Sequence, residues 1–97
     1  MTYAFVQDVP IDTAAYAKIK DGLGPDLPPG LLVHLAHTRP EGGLRYIDVW
    51  ESEEACDRFG EERLHPVVHP MLEAVFGENM PDEPARTSID VIDVWQR

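Results

Sequence analysis

The sequence has one cysteine, few basic residues and no long hydrophobic run, and each shortage excludes a class of protein. Cys56 is the single cysteine among 97 residues, so no disulfide can form within the chain. Lysine and arginine total 8 against 18 acidic residues, and the net charge of −10 repels the phosphates of nucleic acids and anionic membranes. No apolar run approaches the length of a membrane span. We therefore expect neither nucleic acid nor a membrane as a partner.

Motifs for targeting and for common cofactors are also missing. The stretch MTYAFVQDVP lacks the basic and apolar regions of a signal peptide, so the expected location is cytoplasmic. The sequence contains no phosphate-binding loop, dinucleotide fingerprint or GxSxG nucleophile motif, and we expect no cofactor. The length predicts a single domain over residues 1–97. A domain this small buries a limited share of its surface, so pairing with a second copy would stabilise it.

Hydrophobic periodicity and turn residues predict the element order β-α-β-β-α-β. The predicted strands are 2–9, 31–38, 44–51 and 86–95, the helices are 12–24 and 52–64, and the loops are 25–30, 39–43 and 77–85. Asp12 or Thr13 is expected to cap the first helix and Ser52 the second. Residues 65–77, which contain two prolines, are interpreted as a turn and a short helix. This order is typical of the ferredoxin-like α+β fold, a four-stranded antiparallel sheet with both helices on one face.

The tetrapeptide IDVW occurs twice, at 47–50 and at 92–95, each time within a predicted strand. Strand alternation places Tyr46, Asp48 and Trp50 on one face of the first of these strands. Neither face of either strand is wholly polar, which predicts a sheet that is covered on both sides. Helices would cover one side and the sheet of a second subunit the other. Both copies of IDVW are therefore interpreted as strand ends that face a core.

The segment YIDVWESEEACDRF, residues 46–59, resembles the W-E-S-x-E-A-aromatic signature of dimeric α+β barrel proteins, particularly the antibiotic-biosynthesis-monooxygenase-like group. The resemblance implies two sheets packed face to face across a dimer axis. It also implies a pocket for a hydrophobic small molecule between the sheet and the helices of each subunit. Relatives include cofactor-free oxygenases that act on aromatic polyketides, polyketide cyclases and haem-degrading enzymes.

The resemblance extends to individual positions only in part. Trp50 matches the tryptophan that lines the pocket of the polyketide oxygenases. Tyr46 stands where those enzymes have a substrate-polarising asparagine, and Cys56 stands where they have a tyrosine. The haem-degrading relatives use an asparagine in the first strand, to which Gln7 is only similar. They also use a helix histidine, whereas the histidines of HPVVH lie farther from the tryptophan in a proline-broken stretch.

The candidate catalytic residues are His34, Asp48 and Tyr46. His34 lies among apolar neighbours of a predicted strand, can titrate near neutral pH, and is expected to contact Asp48 or Tyr46. In an enzyme, His34 or Asp48 would take a proton, Tyr46 would hold the oxyanion, and Trp50 would stack on the substrate ring. These roles predict a cofactor-independent oxygenase or cyclase for an aromatic or polyketide-like molecule.

A second hypothesis is a non-catalytic dimer of the same fold that binds a ligand or assists another protein. It predicts a pocket too small or too apolar for a substrate, main-chain partners for His34 and Asp48, and a core position for Trp50. Cys56 and Phe59 share a helix stripe near Trp50, where they would contact a ligand or, on this hypothesis, fill the core.

A metal site is the least supported alternative. His65 and His69 have the spacing of helical ligands, but no third ligand is apparent in the sequence. His37 points to the opposite strand face from His34, so those two residues cannot share a metal. We therefore expect no metal.

Overall fold

The computed structural model describes residues 2–77 and 84–95 and confirms the predicted α+β order. The elements are β1 Tyr3–Val9, α1 Thr13–Leu23, β2 Leu31–Thr38, β3 Leu44–Trp50, α2 Glu53–Phe59, a π-helical segment Gly60–Leu64, α3 His65–Phe76 and β4 Arg86–Ser88. The strands form one sheet in the order β2-β3-β1-β4, with every neighbouring pair antiparallel. None of the helices in the described residues has the length and apolar composition needed to cross a bilayer.

Side-chain caps begin both helical runs, as the sequence predicts. The Asp12 carboxylate accepts a hydrogen bond from the backbone N–H of Ala15 at 2.8 Å. The Ser52 hydroxyl accepts one from the N–H of Ala55 at 3.1 Å. Each cap satisfies a backbone donor that has no partner inside the helix. Gly24, with φ of 82°, follows the last residue of α1 in a conformation that favours glycine.

The prediction of a turn and a short helix over 65–77 is wrong. In the structure α2, the π-helical segment and α3 follow one another without a break from Glu53 to Phe76. Pro66 and Pro70 both lie inside this continuous run, and the π-helical segment immediately precedes Pro66. Tertiary packing overrides the prolines there, since a Cβ atom on Gly22 of α1 would come within 2.7 Å of Val67.

The last predicted strand is also wrong in its extent. β4 ends at Ser88, and residues beyond Ile89 leave the sheet after the Ile89 N–H donates to the Ala4 carbonyl at 3.1 Å. The register places Tyr3, the first residue of β1, opposite Asp90, so later residues have no partner on β1. Residues 92–95, the second IDVW, therefore do not face the core of this chain. Of the predicted loop 77–85, residues 78–83 lie outside the described residues.

The core lies between the sheet and the helices. Its buried centre is Phe5, Trp50 and Cys56, and the half-buried hydrophobic residues packed around it are Tyr3, Leu31, Ala55 and Phe59. A bulge between Leu31 and Val33 shifts the register of β2. As a result Leu31 stands opposite Trp50 and packs on the core, in the place where unbroken alternation predicts Leu32.

The other side of the sheet, here called the helix-free face, is also apolar. The strand register gives it these hydrophobic side chains: Val6, Val33, Leu35, Ile47 and Val49. Leu35 is 51% exposed in the single chain. These side chains agree with the sequence expectation that neither face is wholly polar, whereas a second subunit over the helix-free face stays a prediction.

Candidate functional site

Four side chains form a continuous hydrogen-bonded chain on the helix-covered face of the sheet. The Tyr16 hydroxyl lies 2.8 Å from Nε2 of His34. Nδ1 of His34 lies 2.6 Å from Oδ1 of Asp48, and the Trp50 indole N–H donates to Oδ2 of Asp48 at 3.2 Å. We call Tyr16, His34, Asp48 and Trp50 the His34 network.

Strand pairing sets the spacing of the His34 network. His34 of β2 stands directly opposite Asp48 of β3, so their side chains leave the sheet on the same face. Trp50 follows Asp48 by two residues and shares that face because strand side chains alternate. Tyr16 comes from α1, whose position over β2 brings its ring parallel to the imidazole, with ring centroids 6.1 Å apart.

The hydrogen bonds determine which atoms can move a proton. The Trp50 indole N–H is a donor only, so Oδ2 of Asp48 is its acceptor. With Asp48 ionised, Nδ1 of a neutral His34 carries a proton and donates it to Oδ1. Nε2 is then a lone-pair acceptor, and the Tyr16 hydroxyl donates to it. This is the arrangement of a general base with an orienting carboxylate behind it.

Asp48 is a buried carboxylate with its acceptors occupied. Only 10% of its side chain is exposed, so its charge requires hydrogen-bond partners. His34 and Trp50 supply one donor to each oxygen. The second hypothesis predicted main-chain partners for these groups, whereas the partners in the structure are side chains. A carboxylate held in this way can stabilise an imidazolium ion at His34.

Burial keeps the two tyrosines next to His34 in the protonated form. The Tyr46 ring meets the imidazole edge-on, with centroids 5.2 Å apart, and lies 5.7 Å from the Tyr16 ring. Burial raises the pKa of Tyr46 to about 12, and the charges of Tyr16 and Asp48 act in the same direction. Burial, followed by the negative charge of Asp48, also raises the pKa of Tyr16. Both phenols therefore stay protonated at neutral pH.

The remaining candidate residues lie in the core beside this network. Trp50 is 1% exposed, and its ring packs on Phe59 of α2 with centroids 5.4 Å apart. Cys56 is buried, and burial raises the pKa of its thiol to about 11, so it is not a ready nucleophile. The structure thus joins His34, Asp48 and Trp50 by hydrogen bonds and places Cys56 and Phe59 behind Trp50.

Sequence reasoning missed Tyr16. Its helical spacing with Ala15 and Ile19 places Tyr16 on the stripe of α1 that packs on the sheet. The available signal was a hydroxyl in a stripe that must pack on the sheet, because a buried phenol requires a hydrogen-bond partner. Which strand supplies that partner depends on how α1 lies over the sheet, and the sequence does not contain that information.

The other histidines lie apart from the network. His37 bonds the Thr38 carbonyl at 2.9 Å, as a residue on the opposite face of β2. His69 is exposed and lies 3.6 Å from Glu73, one helical turn further on. Within the described ranges, no group of three histidine, cysteine or acidic side chains is placed to hold a metal ion.

Comparison with known proteins supports the fold. No family model matches the sequence, and no curated protein sequence matches it. A solved structure, that of Rv0793 from Mycobacterium tuberculosis, aligns with a TM-score of 0.59 over 98% of this chain and 98% of its own, at 18% sequence identity. At this identity the likeness concerns architecture alone. The chain therefore shares the small α+β fold of that protein.

Proposed function

We propose that this protein is a cofactor-independent enzyme that removes a proton from a hydrophobic, hydroxylated aromatic or polyketide-like molecule, within the antibiotic-biosynthesis-monooxygenase-like group. The observation that carries the proposal is the 2.6 Å contact between His34 Nδ1 and Asp48 Oδ1. This contact directs the other imidazole nitrogen away from the carboxylate, towards the Tyr16 hydroxyl.

In the proposed reaction, Nε2 of His34 accepts a proton from a phenol or from a carbon next to a carbonyl. Asp48 then stabilises the imidazolium ion through the Nδ1 hydrogen bond. The protonated phenols of Tyr16 and Tyr46 can donate to the oxyanion that forms on the substrate. A positioned base of this kind contributes roughly 10²- to 10⁴-fold to a rate.

The resulting carbanion supports either of two outcomes. Attack on a carbonyl of the same molecule closes a ring. Reaction with O2 forms a carbon–oxygen bond, and loss of water then breaks the oxygen–oxygen bond, so that a CH2 group and O2 become a ketone and H2O. In the second outcome the substrate supplies all the electrons that reduce oxygen.

Access to the base depends on Tyr16. The His34 side chain is 25% exposed, and the Tyr16 hydroxyl occupies the Nε2 lone pair. A substrate hydroxyl must therefore replace the Tyr16 hydroxyl at Nε2 before a proton can move. We infer that α1 shifts, or that Tyr16 changes rotamer, when a ligand binds.

The test uses 1,8-dihydroxyanthrone and an oxygen electrode. We expect the wild-type protein to accelerate oxygen uptake above the spontaneous rate, with 1,8-dihydroxyanthraquinone and water as products. His34→Gln is expected to lose at least about 100-fold of the accelerated rate. His37→Gln is the matched control, since it changes a histidine of the same strand on the opposite face. Equal rates in both variants would contradict the role of His34.

The non-catalytic hypothesis is supported by the burial of Trp50, whose ring packs on Phe59. A ligand-binding protein would be stabilised by 1,8-dihydroxyanthraquinone, which raises the melting temperature if it binds the native state. Stabilisation without any acceleration of oxygen uptake in the wild type would favour this second function. Trp50→Phe would then show whether the ligand site includes the indole.

A further inference from the structure

Arg63, in the π-helical segment, bonds to backbone carbonyls at the far end of α1. Its NH2 nitrogen donates to the carbonyl of Leu23, the last residue of α1, at 3.0 Å and to that of Asp26 in the following loop at 3.1 Å. The guanidinium also lies over the Phe59 ring, with 5.6 Å from Cζ to the ring centroid. The other arginines of the described residues instead pair with carboxylates. Arg63 therefore ties the long helical run to the C-terminal end of α1.

A second contact holds the same end of α1 against the helical run. Gly22 packs so closely on Val67 that a Cβ atom at Gly22 would come within 2.7 Å of the Val67 side chain. Val67 follows Arg63 by four residues, so both lie on the side of the run that faces α1. The last carbonyls of a helix lack partners inside it, and a cation is favourable there. An apolar contact and a charged donor thus keep this end of α1 in place.

The other half of α1 carries Tyr16, whose hydroxyl lies 2.8 Å from Nε2 of His34. Tyr16 precedes Leu23 by seven residues, about 10 Å along the helix axis. A short α-helix moves as a rigid body, so a tilt of its C-terminal end also moves the Tyr16 hydroxyl. A shift of less than about 1 Å is enough, because a donor–acceptor distance of about 3.6 Å no longer makes a hydrogen bond.

We propose that α1 is a lid over His34 and that Arg63 is the positioning residue that keeps this lid closed. The inference rests on the proposed role of His34 as a base. In the closed state the Tyr16 hydroxyl occupies Nε2. In the open state the bonds of Arg63 to α1 are broken, the helix tilts, and Nε2 accepts a substrate hydroxyl instead. A ligand that binds only the open state shifts the population towards it.

The first experiment needs no ligand. Arg63→Met keeps an apolar side chain over Phe59 and removes both hydrogen bonds to the carbonyls. We expect the nitrogen NMR shift of His34 Nε2 to move towards its value in Tyr16→Phe, because the hydroxyl leaves Nε2. Amide hydrogen exchange over residues 16–26 is expected to accelerate at least about 10-fold, the effect of losing hydrogen bonds from a charged donor.

Arg58→Met is the matched control, because Arg58 is an exposed arginine of the same helical run that pairs with Glu54. It is expected to leave the Nε2 shift of His34 unchanged. Faster exchange in Arg63→Met with an unchanged Nε2 shift would show that Arg63 only stabilises the helix end, and would overturn the proposal.

A second variant opens the lid from the opposite side of the contact and retains Arg63. Gly22→Ala places a methyl group against Val67, whose branched side chain has little freedom to move away. We expect α1 to be displaced and the Nε2 shift of His34 to change as in Arg63→Met. Adding Val67→Ala makes room for the methyl group and is expected to restore the wild-type shift. A wild-type shift in Gly22→Ala would contradict the lid.

The third experiment measures the consequence for a ligand, with 2-naphthol as the probe. Arg63→Met is expected to lower its Kd at least about threefold, since the open state becomes more populated. In a Tyr16→Phe background the same substitution is expected to change Kd by less than about 1.5-fold, because no hydroxyl remains to be released. An equal gain in both backgrounds would overturn the proposal. None of these measurements requires turnover, so failure of the oxygen-uptake test and failure of the lid are separate results.

Discussion

His34 stands directly opposite Asp48 in the β2–β3 pair, and their side chains meet at 2.6 Å on the helix-covered face. One cross-strand pair therefore determines where the proposed base lies and which of its nitrogens is available. Trp50 holds the second carboxylate oxygen, so the orientation of Asp48 does not depend on a ligand. The network is formed before any substrate arrives, as effective acid–base catalysis requires.

Replacing the carboxylate is expected to change the tautomer of His34. In the wild type at a pH where His34 is neutral, we expect the proton on Nδ1, because Asp48 accepts there. In Asp48→Asn, an amide NH2 facing Nδ1 shifts the proton to Nε2. Nitrogen NMR chemical shifts of the imidazole report the tautomer directly. Persistence of the Nδ1-protonated form in the variant would show that Asp48 does not determine the tautomer.

The same substitution is expected to lower stability, since a hydrogen-bonded buried carboxylate is lost. Hydrogen bonds to a charged carboxylate are replaced by weaker bonds to a neutral amide, so we expect a loss of about 1–3 kcal/mol in the free energy of unfolding. Urea denaturation measures it. Asp21→Asn, at an exposed position of α1, is the control and is expected to change stability by less than about 0.5 kcal/mol.

Removing the Tyr16 hydroxyl is expected to strengthen binding of a small phenol. In Tyr16→Phe no internal hydroxyl competes for Nε2, and releasing a hydrogen bond of about 1 kcal/mol corresponds to about a fivefold lower Kd. The probe is 2-naphthol, followed by NMR shifts of the His34 imidazole. Tyr3→Phe is the matched control, because its hydroxyl bonds Arg86. Weaker binding in Tyr16→Phe would mean that Tyr16 contacts the ligand.

Alkaline pH is expected to destabilise the fold through Tyr46. Its pKa is about 12 in the folded chain against an ordinary value of 10.0, because burial disfavours the phenolate. The unfolded chain therefore releases this proton at lower pH, and the associated stability, fully present below pH 10.0, is lost as pH rises towards about 12. Thermal unfolding of wild type and Tyr46→Phe between pH 10.0 and about 12 measures how much of the pH dependence of stability comes from Tyr46. If the melting temperatures of wild type and Tyr46→Phe fall equally steeply with pH, the phenol is not buried as proposed.

Much of the architecture was predictable because its signals are local. Asp12 and Ser52 marked both helix starts, and alternation in β3 put Asp48 and Trp50 on one face. The errors occurred where distant contacts decide. The low helix propensity of Pro70 predicts a helix end, yet the packing of α3 on α1 keeps the chain helical around it.

The sequence by itself determined the α+β class, the element order and the pairing of residue types that makes His34 a plausible base. It did so because period-two alternation, caps and turns act over a few residues. Tertiary structure decided the rest: the bulge at Leu31, the donation of the Tyr16 hydroxyl to His34, and the end of β4 at Ser88. The two identical IDVW segments consequently lie in different environments. One lies between two strands and faces the core, while the other extends past the end of β1, where residues 2–77 and 84–95 offer it no partner strand.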